Sequence, residues 1–296
     1  MRVPDDLDGE RVDLVVARLG DMSRSVARRL VEAGEVTVGG ETVVPRARVA
    51  AGDEVEFTLP PPETLVAEEV PFGVVYEDDH LAVVDKPAGI VVHPGAGRRE
   101  GTLVSGLLYR YPFIEGLGQP DRWGIVHRLD RDTSGLMAVA LSPAGYQGLA
   151  EQVRSHTMRR EYLALVDGEF GVPTGTIEAP IARDPARPSR RKLAPDGRPA
   201  RTHYEVVKEY TPFGVTLVRL RLETGRTHQI RVHMASIDHP LVGDRLYRGG
   251  PDRIEAPRLF LHAASLGLVH PVTGERIDVD SELPPQLAGM IARLEG

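Results

Sequence analysis

Apolar residues near the N-terminus follow a helical spacing and then change to the alternation that is typical of strands. Two helices are predicted, the first over residues 11–19 and the second capped by Ser23 and ended by Gly34. Their apolar faces carry Leu14, Val15, Leu19, Val26, Leu30 and Val31. Alternating segments at 36–38 and 55–57 predict strands. The pattern therefore predicts a small module of two helices and a β-hairpin.

Beyond residue 70 the apolar segments are mostly short and strand-like. Strands are predicted at 81–84, 136–141, 162–166, 203–207 and 215–222. Helices are predicted over 143–153 and from about His228 onward. Strands outnumber helices and do not alternate regularly with them, so a doubly wound parallel sheet is disfavoured. We expect an α+β fold with a mixed, mainly antiparallel central sheet, preceded by the small α-α-β-hairpin module.

Two segments interrupt these patterns. Pro60-Pro61-Pro62-Glu63 cannot continue a helix or a central strand, so a linker is predicted there. The expected domains are residues 1–60 and 71–296, joined by a linker over 61–70. A second segment, residues 181–201, holds seven basic residues, two acidic residues and four prolines. It predicts an irregular, positively charged loop within the larger domain.

Composition narrows the functional classes. The chain has 296 residues, 41% of them apolar and 27% charged, which is typical of a globular protein. It has no cysteine, which excludes disulfides, thiol catalysis and thiolate zinc sites. The acidic N-terminal residues do not form a secretory signal and no apolar run is long enough to span a membrane, so a cytoplasmic location is expected.

Charge bears on nucleic-acid binding. The formal net charge of −7 argues against a protein that binds nucleic acid through its overall charge. Binding of nucleic acid would therefore require local clusters of basic residues. Arg24, Arg28 and Arg29 form one cluster, at the start of the second predicted helix, where they could face a phosphate backbone. A solvated helix face is the alternative reading of these three arginines.

The most informative polar segment runs from residue 127 to residue 135 and lies just before a predicted strand. It contains acidic, basic and hydroxyl side chains and only one apolar residue, Leu129, so it cannot be part of a core. Loops of this composition often carry function, although an elaborate turn capped by Asp and Ser would have the same composition. A catalytic or ligand-binding loop is one of the two readings that remain.

A second polar segment spans residues 223–233. If Thr227 caps a helix, free backbone N–H groups lie between Arg226 and Arg231, an arrangement suited to an anion or a carboxylate. An arginine held for structural reasons is the alternative. His228 and His233 are five residues apart, which on a helix turns them away from a shared face, so a metal site built on this pair is not expected.

Together these segments resemble the RluA family of RNA pseudouridine synthases, and within it the RluD-like members. The matching motifs are His-Arg-Leu-Asp-x-x-Thr-Ser-Gly at 127–135, Arg-Glu-Tyr-Leu-Ala at 160–164 and Gly-Arg-Thr-His-Gln-Ile-Arg-x-His at 225–233. The N-terminal module resembles the RNA-binding fold named after ribosomal protein S-four, through Arg11-Val12-Asp13, Ser23-Arg24-Ser25, Gly34 and Gly52-Asp53. The resemblance covers nearly the whole chain and implies the pseudouridine synthase fold.

The resemblance implies an isomerase that detaches the base of a uridine in RNA, turns it and rejoins it through carbon. Asp130 is then the catalytic carboxylate, Arg231 its ion-pair partner and Tyr162 the residue against the uracil face. Whether Asp130 attacks the sugar, adds to the base or removes a sugar proton stays open. The residues implied to contact RNA are His127, Arg128, Arg226, Arg24, Arg28, Arg29, Arg190, Arg191 and Lys192. Arg128 would also fill the space that the flipped base vacates.

The resemblance further implies large-subunit ribosomal RNA or a ribosome precursor as the partner, with no metal and no organic cofactor. Two other functions stay open. One is an RNA-binding ribosome assembly factor without catalysis, which would be expected to lack Asp130 or its arginine partner. The other is a hydrolytic glycosidase, which needs a second carboxylate as an acid, and Asp132 is the nearest in sequence.

Overall fold

The computed structural model describes residues 1–22, 24–58, 65–94, 100–250 and 253–296. The chain divides into two compact units, Met1–Thr64 and Leu65–Gly296. The predicted linker lies partly outside the described residues, and its described part, 65–70, has no helix or strand. The Ser23 cap also lies outside the described residues. Both the linker and the cap stay predictions.

The N-terminal unit contains two helices and a three-stranded antiparallel sheet. Its elements are α1 (Val12–Leu19), α2 (Arg24–Glu32), β1 (Val36–Val38), β2 (Glu41–Thr42) and β3 (Val55–Phe57), with β1 at the centre of the sheet. The turn from β1 to β2 uses Gly39 and Gly40, both with positive φ, as a tight hairpin requires. Val12, Val15 and Val16 are fully buried beneath α2 and the sheet. The predicted helix-helix-hairpin module is therefore present.

The larger unit is built on a nine-stranded sheet. Its strands are β4 (Gly73–Glu77), β5 (Leu81–Lys86), β6 (Ser134–Ala140), β7 (Arg159–Asp167), β8 (Thr174–Glu178), β11 (Arg201–Tyr210), β12 (Val215–Leu222), β13 (Leu261–Val269) and β14 (Arg276–Asp280). The strand order is β4-β5-β6-β13-β7-β12-β11-β8, with β14 paired to β13. Of these pairs only β6 with β13 is parallel, which confirms the expected mixed, mainly antiparallel sheet.

The helices of this unit lie between the strands in sequence. They are α3 (Leu103–Arg110), α4 (Pro143–Arg154), α5 (Gln229–Ser236) and α6 (Pro285–Glu295). The helices predicted over 143–153 and near His228 correspond to α4 and α5. Ser142 caps α4 by accepting a hydrogen bond from the Gly145 N–H. The main core lies between the sheet and the helices and reaches the start of β6, where the polar loop 127–133 ends.

The basic segment 181–201 differs from its prediction. It contains a two-stranded antiparallel hairpin, β9 (Ile181–Arg183) and β10 (Arg191–Leu193), instead of an irregular loop throughout. Ile181 is buried and packs in a small cluster with Ala200 and Val232, which gives the hairpin an apolar anchor. All four prolines lie outside the paired residues, so they do not interrupt the ladder. The number of prolines was a poor guide because their positions decide whether strands can pair.

Candidate active site

A narrow pocket of about 50 Å³ opens where the loop before β6, strand β7 and the start of α5 meet. Its walls include all three predicted catalytic side chains, Asp130, Tyr162 and Arg231. These residues are far apart in sequence, and the order of strands in the sheet brings them together. Gly135 has φ +114° and backs onto the Ala263 backbone, where a Cβ would collide, so the loop can enter β6 only with glycine there.

The Asp130 carboxylate lies in this pocket with 16% of its side chain exposed. Arg231 Nη1 is 3.7 Å from Asp130 Oδ2, and His228 Nε2 is 3.9 Å from the same oxygen. Within the described part of the chain, no group donates a hydrogen bond to this carboxylate. Its oxygens are therefore held near positive charge and remain available to a ligand that enters the pocket.

Arg231 is held more tightly by a second acid than by Asp130. Its Nε and Nη2 donate to the two oxygens of Asp244 at 2.7 and 2.8 Å, a bidentate pair that is almost fully buried. Burial alone would raise the pKa of Asp244, but the hydrogen bonds and charge of Arg231 hold that pKa below its ordinary value. Asp244 also accepts from the backbone N–H groups of Leu246 and Tyr247. This arrangement fixes the guanidinium and leaves Nη1 directed toward Asp130.

His228 connects Asp130 to Tyr247, a half-buried tyrosine. It is the N-cap residue of α5, with a left-handed backbone (φ 59°) and no side-chain cap, so the predicted Thr227 cap is wrong. The Tyr247 hydroxyl accepts from the Arg191 N–H at 2.7 Å and lies 2.8 Å from His228 Nδ1. Burial lowers the pKa of His228 although the charge of Asp130 raises it, so the ring is mainly neutral at pH 7. If Tyr247 donates to Nδ1, the His228 proton is on Nε2, which faces Asp130.

Tyr162 and Lys86 complete the surroundings of the loop. Tyr162 is 5% exposed on β7, and burial, with the nearby Asp130 charge, raises the pKa of its phenol, which is therefore protonated at neutral pH. The fully buried Lys86 donates three hydrogen bonds, to the carbonyls of Pro87, Ile90 and Arg131. Burial lowers the pKa of Lys86 to about 8, against the opposing influence of Asp130. Lys86 therefore ties the loop before β6 to the segment after β5.

Three predicted RNA contacts lie around the pocket mouth. Arg128 is exposed, with Nη1 3.0 Å from His93 Nε2, and Arg226 donates from Nε to the Pro199 carbonyl at 2.9 Å. His127 uses Nε2 to accept the Ala138 N–H, and burial, with the charge of Arg160, lowers its pKa to about 3. Its ring is therefore neutral, and it can offer RNA a hydrogen bond from Nδ1 but no charge.

The remaining predicted RNA contacts lie on the N-terminal unit and on the β9–β10 hairpin. Arg24 donates to the buried Asp13 carboxylate and Arg28 pairs with Glu32, while Arg29 is exposed. On the hairpin, Arg190 lies over the Tyr247 ring at 5.1 Å from its centroid, and the Arg191 backbone is hydrogen-bonded to the same residue. Lys192 is exposed. The structure thus joins the hairpin to the pocket through Tyr247.

Sequence reasoning did not select Asp244 or Tyr247 as site residues. Their segment, 239–247, carries charged and aromatic residues outside any regular strand, which is the signal that could have indicated them. Arg160 was noted only as part of a motif, yet it is buried and lines the pocket. No cluster of three or more His, Asp or Glu side chains suited to a metal ion occurs among the described residues. Across the same residues, none of the helices has the length and apolar character needed to cross a membrane.

Comparisons with known proteins bear on the meaning of this pocket. Residues 80–236 match the RNA pseudouridylate synthase family, and residues 10–55 match the S4 domain. The ribosomal large subunit pseudouridine synthase D of Xanthomonas campestris is 41% identical over 99% of this chain and 91% of its own length. An RNA pseudouridine synthase of Chloroflexus aurantiacus is 45% identical over 99% of this chain and 92% of its own.

A solved structure agrees with these relatives. Human RNA pseudouridylate synthase domain containing 1 superposes with a TM-score of 0.58 and 26% identity, covering 77% of this chain and 96% of its own. The sequence matches include the loop before β6, the strand that carries Tyr162 and the start of α5, which are the three elements that form the pocket. The chain belongs to the RNA pseudouridylate synthase family, whose members are isomerases, and it carries an S4 domain at its N-terminus.

Proposed function

We propose that this protein converts uridine to pseudouridine in large-subunit ribosomal RNA, with Asp130 as the catalytic carboxylate. The assignment of Asp130 rests on its surroundings. Its carboxylate lies in a narrow pocket beside Arg231 and accepts no hydrogen bond from the described residues. The names of the full-length relatives from Xanthomonas and Nitrosomonas support ribosomal RNA as the substrate. A cytoplasmic location, where ribosomal RNA would be available, is part of the same proposal.

The reaction breaks the C1′–N1 bond of the uridine and forms a C1′–C5 bond. In the course of it the base loses the proton on C5 and gains one on N1, so the product has the mass of the substrate. Positive charge develops at C1′ as the first bond breaks, and an adjacent carboxylate stabilises that charge or traps the sugar, as in glycosidases. Asp130 can do this only while it is ionised, because a protonated carboxyl group offers no compensating charge.

Arg231 keeps Asp130 suited to this work. Its Nη1 lies 3.7 Å from Asp130 Oδ2, so a positive charge faces the carboxylate on which the reaction depends. Because Asp244 holds Arg231 through two short hydrogen bonds, the cation does not move closer to Asp130 and block its oxygens. Asp244 is in this proposal a positioning residue, and Arg231 sets the charge of the pocket.

Tyr162, Arg128 and Arg226 have supporting roles in the proposal. The Tyr162 ring would stack on the uracil, an interaction worth about 1–3 kcal/mol. Its raised phenol pKa makes it a proton donor rather than a base at neutral pH. Arg128 at the pocket mouth would fill the space left by the flipped base, whose extrusion costs a few kcal/mol. Arg226 would hold a flanking phosphate.

Nucleoside analysis of RNA incubated with the protein tests this function. A transcript of large-subunit ribosomal RNA should gain pseudouridine with the wild-type protein, and Asp130→Asn should lower the rate by at least about 1000-fold. Asp130→Asn keeps the shape of the side chain, so its RNA affinity should stay close to that of the wild-type protein. Undiminished pseudouridine formation by Asp130→Asn would refute the assignment of Asp130.

The same assay separates the two alternatives. A passive assembly factor would leave the nucleosides unchanged, and a glycosidase would release free uracil. The glycosidase alternative needs Asp132 as an acid, but Asp132 is held by Arg131 through two hydrogen bonds of 2.9 and 3.0 Å at a half-buried position. Asp132 also does not line the pocket that holds Asp130, which disfavours the acid role.

A further inference from the structure

A wide groove of about 580 Å³ adjoins the catalytic pocket. The two share Arg128, Arg160, Gly225 and Arg226 in their walls, so the groove is continuous with the pocket mouth. Among the described residues, no Asp or Glu side chain lines it. The arginines in its walls are Arg122, Arg128, Arg154, Arg160, Arg198 and Arg226. In a protein with a net charge of −7, this is a strong local concentration of positive charge.

Most of this positive charge is not neutralised by the protein. Arg154 pairs with Glu151, but the other five have no carboxylate within 4.0 Å in the described part of the chain. We call these five the groove arginines; they are Arg122, Arg128, Arg160, Arg198 and Arg226. The two histidines near the pocket mouth, His93 and His127, have pKa values lowered by burial and by nearby arginines, which favours their neutral forms. The arginines therefore supply the charge.

Arg160 is the most informative member. It is only 5% exposed, and its one hydrogen bond within the described chain goes from Nη2 to the Glu223 carbonyl at 3.0 Å. Its Nε is buried and has no hydrogen-bond partner among the residues that the structure describes. A buried cation without a counter-charge is costly, so its retention calls for an anion that arrives from outside. Arg160 lines both the pocket and the groove, which places that anion where the two meet.

Gly225 allows the Arg160 guanidinium to reach this junction. A Cβ at residue 225 would lie 2.9 Å from Arg160 Nη1, too close for an ordinary contact. Gly225 has no positive φ that would demand glycine, and a larger residue there would displace the end of the Arg160 side chain from this position. Among the described residues, Arg160 makes its hydrogen bond through Nη2, which leaves Nη1 without a partner where the pocket and the groove meet.

We infer that the groove binds the sugar-phosphate backbone of the RNA strand on one side of the target uridine, and that Arg160 takes the phosphate nearest to the flipped nucleotide. Phosphodiester oxygens are spaced along the strand and match a row of guanidinium groups, which bind them through paired hydrogen bonds. This inference rests on the proposed function and specifies how the substrate lies in the site. It assigns to RNA binding Arg122, Arg160 and Arg198, which the motifs alone did not.

The salt dependence of binding tests the groove without using the chemistry. We would titrate fluorescein-labelled oligouridylate with the full-length protein at increasing KCl and follow fluorescence anisotropy. Each phosphate contact with a single strand contributes about 0.7 to the slope of log K against log salt concentration. Arg122→Gln combined with Arg198→Gln should therefore reduce that slope by about 1.4.

A matched control removes the same charge elsewhere. Arg221 and Arg293 are exposed, have no ion pair among the described residues and do not line the groove. Arg221→Gln combined with Arg293→Gln should leave the slope at its wild-type value. Equal slopes for the groove pair and the control pair would overturn the inference. Pseudouridine formation by the wild-type protein would still stand in that case, so failure of the groove and failure of the proposed function are distinguishable.

Arg160→Met gives a second and independent test. If Arg160 binds a phosphate of the RNA, Arg160→Met should reduce the slope by about 0.7. It should leave the thermal midpoint of the RNA-free protein unchanged or raise it. Arg160→Lys should restore most of the slope because it restores the charge. A lowered thermal midpoint with an unchanged slope would show a purely structural role and refute the inference for Arg160.

Discussion

Arginines are used differently in the two units of this chain. In the N-terminal unit, Arg11 and Arg24 both donate to the buried Asp13, and Arg28 pairs with Glu32. The groove arginines of the larger unit have no carboxylate partner within the described residues. A paired arginine must give up or share its carboxylate to bind a phosphate, whereas an unpaired arginine gains a counter-charge. Availability of the charge, more than the number of arginines, distinguishes the two surfaces.

This difference changes the meaning of the cluster formed by Arg24, Arg28 and Arg29. Sequence spacing predicts that they face a phosphate backbone, and the match of residues 10–55 to the S4 domain agrees with RNA binding in that unit. The unit has eight basic and thirteen acidic residues, so its overall charge opposes a polyanion. We expect it to contribute shape and hydrogen bonds, while the groove supplies most of the electrostatic attraction.

The largest effect is expected at Arg231, which lies between the Asp130 carboxylate of the pocket and the buried Asp244 carboxylate behind it. Arg231→Met leaves Asp244 buried without its partner, which should destabilise the protein by about 3–5 kcal/mol. The rate of pseudouridine formation should fall by about 1000-fold or more, because the positive charge beside Asp130 is removed from the pocket. Chemical denaturation and single-turnover kinetics measure the two effects.

Arg160→Met is the comparison that tests whether the loss of stability in Arg231→Met comes from breaking an ion pair. Both variants remove a buried guanidinium from the same pocket, but only Arg231 has a carboxylate partner. Equal losses of stability in the two variants would contradict the distinction between paired and unpaired arginines. Arg231→Lys serves as the intermediate case: it keeps the charge and loses the bidentate geometry, so it should retain more stability than Arg231→Met.

The next effect is expected at Asp244. Asp244→Asn removes the charge that holds Arg231 and keeps a side chain of the same size. The guanidinium is then free to move onto Asp130, which should lower kcat by about 100-fold through misplacement of the reacting groups. KM should change little, because Asp244 does not reach the pocket surface that meets the RNA. A rise in KM with unchanged kcat would count against a positioning role.

How far the sequence predicted this site depends on the kind of contact. Motifs identified Asp130, Tyr162 and Arg231 because each lies in a segment with a recognisable pattern. The role of Asp244 was not predicted because its bidentate pair with Arg231 joins two separate segments of the chain. Packing around α5 brings these segments together, and the pattern of apolar residues in the sequence does not show this. The hairpin of β9 and β10 was missed because the four prolines in the segment 181–201 suggested an irregular loop, whereas none of them falls within the paired residues.

The fold was predicted more fully than the site. Strand β12 begins and ends at the predicted residues, since both of its ends are marked by a change from apolar to polar residues. The parallel pair of β6 with β13 was not predicted in detail, because pairing between strands more than a hundred residues apart leaves no local signal. The groove also left no local signal in the sequence. Its arginines come from five separate stretches of sequence, and composition does not show which of them pair with acidic residues.

A smaller effect is expected at Asp13, the buried acid of the N-terminal unit. Burial raises its pKa, but hydrogen bonds from Arg24 and Arg11 bring the net pKa below 3.8. A carboxyl group with a lowered folded-state pKa stabilises the protein above its unfolded pKa, and this contribution is lost as pH falls through the folded value. Asp13→Asn should therefore cost about 1–2 kcal/mol at neutral pH.

The pH dependence of that difference is the check. Thermal midpoints of the full-length wild-type protein and Asp13→Asn should differ most near neutral pH and converge as pH falls through the lowered folded-state pKa of Asp13, because protonation removes the wild-type advantage. A gap that stays constant over this range would mean that the Asp13 charge does not stabilise the unit. RNA affinity should rise, since Arg11 and Arg24 lose the carboxylate that pairs them and become available to phosphates.

The smallest effect is expected at Arg28, because the charge of this arginine is already paired within the protein. Arg28 is exposed and hydrogen-bonded to Glu32 one helical turn away, so Arg28→Gln should leave the thermal midpoint unchanged. With its charge already matched by Glu32, Arg28 should add far less than the value of about 0.7 per contact to the salt slope for oligouridylate. If Arg28→Gln reduced the slope by the full value of about 0.7, an arginine paired with a carboxylate would bind RNA as well as an unpaired one. The N-terminal unit would then bind the backbone through charge, as its sequence spacing predicts, and the contrast between the two units would fail.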